Sequence, residues 1–232
     1  MLHSNPTWGK RRIQSELGKI SLDVSDSTVW RYRPPQDSPP SQSWRAFLDN
    51  HVRDIVAIDF FVVPTATFRV LYVFLVMSHN RRRILHFNVT TSPSARWTTQ
   101  QVREAFPFDT TPRYLLRDRD RIFGTDFVQR VESMGIKEVI TAPGSPWQNP
   151  YCERLIGSIR RECLDHVIVL NERHLLRVLR SYASYYHASR THRSLDEDCP
   201  DPRPVEPPEM GDVVALAQVG GLHHRYTRQV AA

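Results

Sequence analysis

The chain has 232 residues, 40% hydrophobic and 24% charged, which suits one globular core with a small appendage. A net charge of +6 favours contact with phosphates without establishing it. Three cysteines, Cys152, Cys163 and Cys199, with no Cys-x-x-Cys spacing, argue against a disulfide framework and a zinc knuckle. The longest apolar stretch, 70–77, is far shorter than the roughly 20 residues of a membrane helix. We therefore expect a cytoplasmic protein with no membrane partner.

The N-terminal residues 1–33 are predicted to form a partial helix-turn-helix-like segment. Ile13 and Leu17 are spaced i, i+4, as on one face of a helix, and Ser25 is suited to cap a second helix over 26–32. The second helix of such a motif enters a DNA major groove. A small helical cap on the main domain is the alternative interpretation.

Two Pro-rich stretches divide the chain. Residues 34–43 are predicted to be an extended linker and residues 199–232 a Pro-rich C-terminal tail, in which His223 and His224 are expected to be exposed to solvent. The intervening segment, 44–198, has the length of a single domain.

The middle segment combines strands and helices. Strands are predicted over 54–63, 68–78, 83–91, 113–118 and 137–142. Helices are predicted over 94–106, 124–135, 150–164 and 171–189. Short turns join the first three strands into an antiparallel meander, and strands then alternate with helices. The fold class is therefore α/β, with a mixed five-stranded sheet flanked by helices and a small helical N-terminal segment.

Two aspartates occupy unusual positions in this pattern. Asp59 lies inside the apolar first strand, where a carboxylate needs a hydrogen-bond partner or a cation to offset its desolvation. Asp118 ends the fourth strand. If strands one and four are neighbours, the two carboxylates repel each other unless a divalent cation lies between them. A backbone hydrogen bond at a strand end is the simpler interpretation of Asp59.

A third acid, Glu153, falls in the first turn of the helix that begins near Pro150. Glutamate at this place commonly does no more than complement the helix dipole. The three acids together are more specific than any one of them.

This constellation resembles the catalytic core of the retroviral-integrase superfamily and, within it, the DDE transposases of bacterial insertion sequences. The stretches that carry the resemblance are "DIVAIDFF", "SPWQNPYCERLIGSIRREC" and "YYHASRTHRSLDEDCP". The resemblance covers roughly residues 43–208 and implies a ribonuclease H-like fold. It also implies that Asp59, Asp118 and Glu153 form the catalytic, metal-binding triad.

The second acid of the triad could be Asp118 or Asp120. The family places about 35 residues between its second Asp and its Glu. Here 34 residues separate Asp118 from Glu153, and 32 separate Asp120 from Glu153. An aromatic residue five positions after that Asp is also typical, and Phe123 fits Asp118. The family usually has a glycine in the turn after this Asp, whereas this chain has none before Gly124.

The resemblance also implies a cofactor and partners. Carboxylate oxygens prefer Mg²⁺ or Mn²⁺ to zinc, and two ions would assist displacement at phosphorus. The expected partner is double-stranded DNA, both element ends and target, with a homo-oligomer assembled on it in a bacterial, nucleoid-associated setting. Candidate DNA-binding residues are Gln148, Asn149, Arg154, Arg160 and Arg161.

Three functions remain open at this stage. The first is a transposase or integrase that cleaves DNA strands and transfers them. The second is an inactive, truncated transposase remnant that only binds DNA. The third is a ribonuclease H-like nuclease, which shares the fold and the metals but does not join strands.

Overall fold

The computed structural model describes residues 10–25, 28, 43–107, 110–143 and 145–230. The chain divides into two compact units, 1–43 and 44–232. In the first unit, helix α1 (Lys10–Lys19) contains Ile13, which is buried, and Leu17, which is partly buried. Apart from Thr28, the predicted second helix lies outside the described residues, as does the predicted linker up to residue 42.

The second unit is built on a mixed five-stranded sheet, as predicted. Its strands are β1 (Ile55–Pro64), β2 (Val70–Ser78), β3 (Ile84–Thr90), β4 (Tyr114–Arg117) and β5 (Lys137–Ile140). The order across the sheet is β3-β2-β1-β4-β5. The first three strands pair antiparallel, while β4 runs parallel to both β1 and β5. The predicted meander and the predicted proximity of strands one and four are both confirmed.

Helices cover both faces of the sheet. They are α2 (Trp44–Asn50), α3 (Ala95–Ala105), α4 (Thr125–Ser133), α5 (Pro150–Glu162) and α6 (Glu172–Ala188). One core layer lies between the sheet and α2, α5 and α6, and the other lies between the sheet and α3 and α4. None of the described helices has the length and apolar character needed to span a membrane.

The alternation of side chains along β1 decides which face each residue occupies. Ile55, Ala57 and Phe61 belong to the core layer beneath α5, whereas Val56 and Ile58 belong to the layer beneath α4. Because strand side chains alternate with a period of two, Asp59 points to the same face as Ala57. The sequence therefore directs this carboxylate toward α5.

The C-terminal residues contain structure that the sequence analysis did not predict. Strands β6 (Asp212–Gln218) and β7 (His223–Gln229) form an antiparallel hairpin within the predicted Pro-rich tail. The ring of His223 stacks on that of Tyr185 in α6, with centroids 4.4 Å apart, and its Nε2 contacts the Glu162 carbonyl at 2.7 Å. His224 is exposed, as expected, but the expectation of exposure was wrong for His223.

Candidate active site

Asp59 and Asp118 stand at equivalent positions on neighbouring parallel strands. Ala57 of β1 pairs with Leu116 of β4, and each aspartate follows its paired residue by two positions. The alternation of side chains places both on the sheet face covered by α5, since Ala57 and Leu116 belong to that core layer. Parallel pairing thus brings two acids together that are 59 residues apart in the sequence.

Helix α5 carries the third acid to the same place. Cys152, Leu155 and Ile159 are buried against the sheet at helical spacing, which fixes the orientation of the helix. Glu153, the residue after Cys152, lies at the solvent edge of that buried stripe, in the first turn. The first turn of α5 therefore places Glu153 at the edge where β1 and β4 present their aspartates.

The three acids line one cleft, here called the acid cleft, with a volume of about 380 Å³. Its walls are formed by Asp59, Asp118, Arg119, Asp120, Thr141, Ala142, Pro143, Ser145, Asn149 and Glu153. The lining thus supplies carboxylate, hydroxyl and amide oxygens from β1, from the segments that follow β4 and β5, and from the first turn of α5. All three members of the predicted triad are brought together.

Asp59 is the most perturbed of these carboxylates. Its pKa is raised from 3.8 to about 7, chiefly by burial and also by the negative charges of Glu153, Asp118 and Asp120, while the hydrogen bond from the Phe60 amide acts in the opposite direction. The Phe60 N–H donates to Oδ1 at 2.8 Å, so the simpler interpretation, a backbone hydrogen bond, is also observed. One backbone hydrogen bond does not offset burial and the neighbouring negative charges together, whereas a bound cation would favour the charged form of Asp59.

The donor set suits a hard divalent ion. Carboxylate oxygens are the ligands preferred by Mg²⁺ and Mn²⁺. Within the described residues, no three His, Cys, Asp or Glu side chains are close enough together to hold a metal ion as they stand. Asp118 and Glu153 are both exposed, so a change of rotamer can bring either closer to Asp59 without disturbing the core.

The turn after β4 forms without the glycine that the family usually has. All of residues 118–123 are described, and none of them has a positive φ. The side chain of Asp118 accepts a hydrogen bond from the Asp120 amide at 3.1 Å, and Asp120 accepts one from the Ile122 amide at 3.0 Å. Two successive Asx-type turns thus shape a segment that any L-residue can adopt. The interpretation of Asp120 as a turn residue agrees with this geometry.

Two arginines, Arg117 and Arg119, stabilise the backbone at the end of β4 beside the acids. Arg117 is 5% exposed, and its Nε donates to Glu138 of β5 at 2.5 Å. Its Nη1 donates to the Asp118 carbonyl at 2.9 Å. The Nε of Arg119 donates to the Thr141 carbonyl at 3.1 Å. These hydrogen bonds fix the backbone that carries Asp118.

The five candidate DNA-binding residues fall into three groups. Asn149 is 4% exposed, and its Nδ2 lies 3.4 Å from Oδ2 of Asp59, so this buried amide contacts the carboxylate on its protein side. Gln148 accepts a hydrogen bond from the Ala142 amide at 2.6 Å and thereby closes the loop. Arg160 donates to the Val62 carbonyl at 3.1 Å, while Arg154 and Arg161 are exposed. The burial of Asn149 argues against the predicted DNA contact and favours a role in positioning Asp59.

The sequence analysis missed Arg117 and Glu138 as supports of the site. A signal was present, since an arginine inside "YLLRD" and a glutamate inside "KEVI" are charged residues within short, largely apolar strands. Adjacent strands can bury such a pair only together.

Comparison with known proteins supports the predicted resemblance. Residues 134–200 match the family model of the integrase core domain. The chain is 23% identical, over 198 residues, to the insertion element IS476 uncharacterized 39.2 kDa protein of Xanthomonas euvesicatoria. That alignment covers 81% of this chain and 57% of the relative, so the chain spans little more than half of the relative's length.

Solved structures show the same fold. A chain of the simian T-cell lymphotropic virus intasome, in complex with PP2A regulatory subunit B56 gamma, aligns with 97% of this chain and 84% of its own (TM-score 0.51, 14% identity). The catalytic domain of Mos1 mariner transposase aligns with 65% of this chain and 85% of its own (TM-score 0.51, 12% identity). The chain therefore has the ribonuclease H-like fold of integrase and transposase cores, and the predicted resemblance is confirmed.

Proposed function

We propose that this chain is a transposase or integrase that cleaves DNA strands and transfers them, with Asp59, Asp118 and Glu153 as its catalytic, metal-binding residues. The observation that carries the proposal is the convergence of these acids, from two strands and one helix, on one cleft. The integrase core match over 134–200 includes Glu153 and adds independent support.

The acid cleft fits Mg²⁺ or Mn²⁺, and the three carboxylates would hold the ion or a pair of ions. When bound, such ions activate an attacking oxygen and stabilise a leaving oxygen at phosphorus. The buried Asn149 orients the Asp59 carboxylate through its side-chain amide. The hydrogen bonds of Arg117 and Arg119 keep Asp118 at the cleft edge. These residues therefore set the positions of the acids before DNA arrives.

The reaction that we propose is two successive displacements at DNA phosphorus. In the first, water attacks a phosphodiester at the element end, the P–O bond breaks, and the leaving oxygen takes a proton to become a free 3′-OH. In the second, that 3′-OH gives up its proton and attacks a target phosphodiester, the P–O bond to the target's 3′ oxygen breaks, and this leaving oxygen takes a proton as the strands are joined. Double-stranded DNA is the proposed partner, with a homo-oligomer assembled on it to hold two ends.

The test compares Asp59→Asn, Asp118→Asn and Glu153→Gln with the wild-type chain. Each variant removes one negative charge and keeps the shape of the side chain, so we expect the fold to persist and metal-dependent nicking and joining of plasmid DNA to disappear. Asp126→Asn, which changes an exposed acid in the first turn of α4, is the matched control. Undiminished activity in Asp59→Asn would refute the assignment.

A second readout does not depend on catalysis. Mg²⁺ that binds only the folded wild-type chain should stabilise it by about 2.7 kcal/mol at a concentration of 100 times Kd, and Asp59→Asn should lose most of this gain. Products distinguish the alternatives: joined strands indicate a transposase or integrase, hydrolysis alone a nuclease, and DNA retention without cleavage a binding remnant.

A further inference from the structure

A second cleft lies beside α5, with an opposite charge. Its volume is about 180 Å³, and at about 30 Å³ per water molecule this is room for about six waters. We call it the arginine cleft. The residues of its lining that matter here are Arg82, Tyr151, Arg154, Arg161, Arg190 and His192. Four guanidinium groups from three separate segments therefore converge on one small space.

Among the residues that the structure describes, only one of the four arginines has its charge balanced by a carboxylate. Arg190 makes two hydrogen bonds of 2.7 Å to Glu162, one to each carboxylate oxygen. No salt bridge within the described part of the chain involves Arg82, Arg154 or Arg161. Like charges held together in a cleft repel each other, and a bound anion removes that repulsion.

The backbone holds Arg82 in place for this role. Arg81 and Arg82 have φ values of 50° and 58°, which cost non-glycine residues of order 1–3 kcal/mol each. Hydrogen bonds from the Arg81 side chain to the Cys199 and Pro200 carbonyls, at 2.6 and 2.9 Å, offset this strain. The guanidinium of Arg82 then lies 3.3 Å above the Tyr151 ring, at the cleft wall.

The ring of His192 lines the cleft without adding a charge to it. Its Nδ1 lies 3.3 Å from Nη1 of Arg190, and an arginine can only donate, so Nδ1 is the acceptor. Burial, with the charge of Arg190 nearby, lowers the pKa of His192 to about 4, so the ring is neutral at pH 7 and its proton is on Nε2.

We propose that the arginine cleft binds one phosphodiester group of DNA, distinct from the phosphodiester that enters the acid cleft. Arg154 and Arg161 supply the charge, and Arg82 supplies the fixed guanidinium. The proposal rests on the proposed function only in taking DNA as the ligand. Glu153 and Arg154 are consecutive residues of α5, so one helix presents an acid to one cleft and a base to the other.

The proposal distinguishes between neighbouring arginines. The Nη2 of Arg160 donates to the Val62 carbonyl, and the guanidinium carbon of Arg160 lies 5.6 Å from the centroid of the Phe61 ring. It does not line the arginine cleft, whereas Arg161, the next residue, does. A basic run in the sequence is thus divided between two surfaces.

The experiment measures duplex DNA binding by the full chain in EDTA, as a function of salt. One phosphate contact changes the slope of log K against log salt by about 0.9. We expect Arg154→Ala, Arg161→Ala and the double variant each to reduce the slope by about 0.9, because both side chains serve one phosphate. Between 50 and 200 mM salt the wild-type affinity should then fall about 3.5-fold further than that of the variants.

Control variants make the result specific. Arg130→Ala removes an exposed arginine on α4, at the other face of the sheet, and should leave the slope unchanged. Arg154→Lys and Arg161→Lys keep the charge and should keep most of the slope. An unchanged slope in the double variant would overturn the proposal, and so would a reduction near 1.8, which indicates two separate phosphates.

Failure of this proposal is distinguishable from failure of the proposed function. A chain that cleaves DNA while all arginine variants bind like the wild type overturns the arginine cleft alone. A chain that shows the expected slopes without cleaving DNA overturns only the proposed function. Calorimetric binding of inorganic phosphate to the wild type but not the double variant, with unchanged DNA slopes, would identify a free-anion site and overturn the DNA assignment.

Discussion

The acid cleft and the arginine cleft adjoin the same helix and carry surplus charges of opposite sign. Four carboxylates line the first, and the residues around Asp59 offer it one backbone amide and the amide of Asn149. Four guanidiniums line the second, where one carboxylate, Glu162, balances one of them. Each cleft therefore carries a surplus of one sign that the described part of the chain does not neutralise.

This difference shows that the fold, rather than the local sequence composition, decides which cleft each charged side chain lines. Helix α5 alone contributes Glu153 to one cleft and Arg154 and Arg161 to the other. A polyanion accompanied by divalent cations complements both surpluses at once, since the cations meet the acids and the phosphates meet the arginines. Variants that alter one cleft should leave the other intact, and this separates the two roles.

The largest expected effect is a loss of DNA cleavage that distinguishes Asp118 from Asp120 in the acid cleft. Asp118→Asn should abolish metal-dependent DNA cleavage, whereas Asp120→Asn should retain most of it, because the Asn oxygen can still accept the Ile122 amide that Asp120 accepts. Plasmid nicking with Mn²⁺ measures both, and DNA binding through the arginine cleft should be unchanged in both. Loss of cleavage in Asp120→Asn with retention in Asp118→Asn would reassign the second ligand.

Much of the acid cleft could be predicted from the sequence. Asp59 and Asp118 belong to strands with strong β-branched and aromatic patterns, and a period of two decides their face. The spacing to Glu153 favours Asp118 as the second acid, and the turn does not decide between the two, because Asp118 and Asp120 each accept one backbone amide. The departure from the family's glycine has no structural cost here, since the turn has no positive φ.

The next largest effect is expected at the ion pair between Arg117 and Glu138, beside the acid cleft. Glu138→Ala leaves the buried Arg117 guanidinium without its partner and should lower the free energy of unfolding by about 3–5 kcal/mol. Denaturant unfolding measures this, with the exposed Glu132→Ala of α4 as control. The pair Arg117→Met with Glu138→Leu should recover most of the loss, because it removes both charges. A single-variant effect below about 1 kcal/mol would show that the pair does not anchor Asp118.

The arginine cleft could not be predicted in the same way. Arg82 follows β2, Arg154 and Arg161 belong to α5, and His192 follows α6, so no local pattern connects them. "NRRR" at 80–83 is typical of a charged hairpin tip, and only the contact of Arg82 with Tyr151 gives it a further role. The C-terminal hairpin was missed for a related reason: its strands are largely exposed and lack clear apolar alternation.

A third prediction tests the wall of the arginine cleft. Glu162→Gln weakens the two hydrogen bonds to Arg190 and one from Tyr182, and should cost about 1–3 kcal/mol of stability. It also frees one positive charge, so DNA affinity at low salt should rise rather than fall. Stability and affinity moving in opposite directions would separate this effect from simple misfolding, and a parallel loss of both would contradict it.

The pH dependence of the same variant has a definite sign. Although burial opposes it, hydrogen bonding and attraction from Arg190 hold the pKa of Glu162 below 4.5 in the folded chain. Glu162 therefore contributes stability above pH 4.5 that is lost as the pH falls through its folded pKa. The difference in unfolding free energy between wild type and Glu162→Gln should be full at pH 7 and should shrink below about pH 4.5. A difference that stays constant into acid would mean that the charge of Glu162 is not the cause.

The smallest expected effect lies at the rim of the acid cleft. Gln148→Ala removes the acceptor of the Ala142 amide, a single exposed hydrogen bond worth about 1 kcal/mol. Global stability should change by no more than about 1 kcal/mol, while hydrogen exchange at the Ala142 amide should accelerate about 5-fold. Trp147→Ala, which alters a side chain 68% exposed in the same loop, should leave that exchange unchanged. Equal acceleration in both variants would show that the loop, rather than the Gln148 contact, protects this amide.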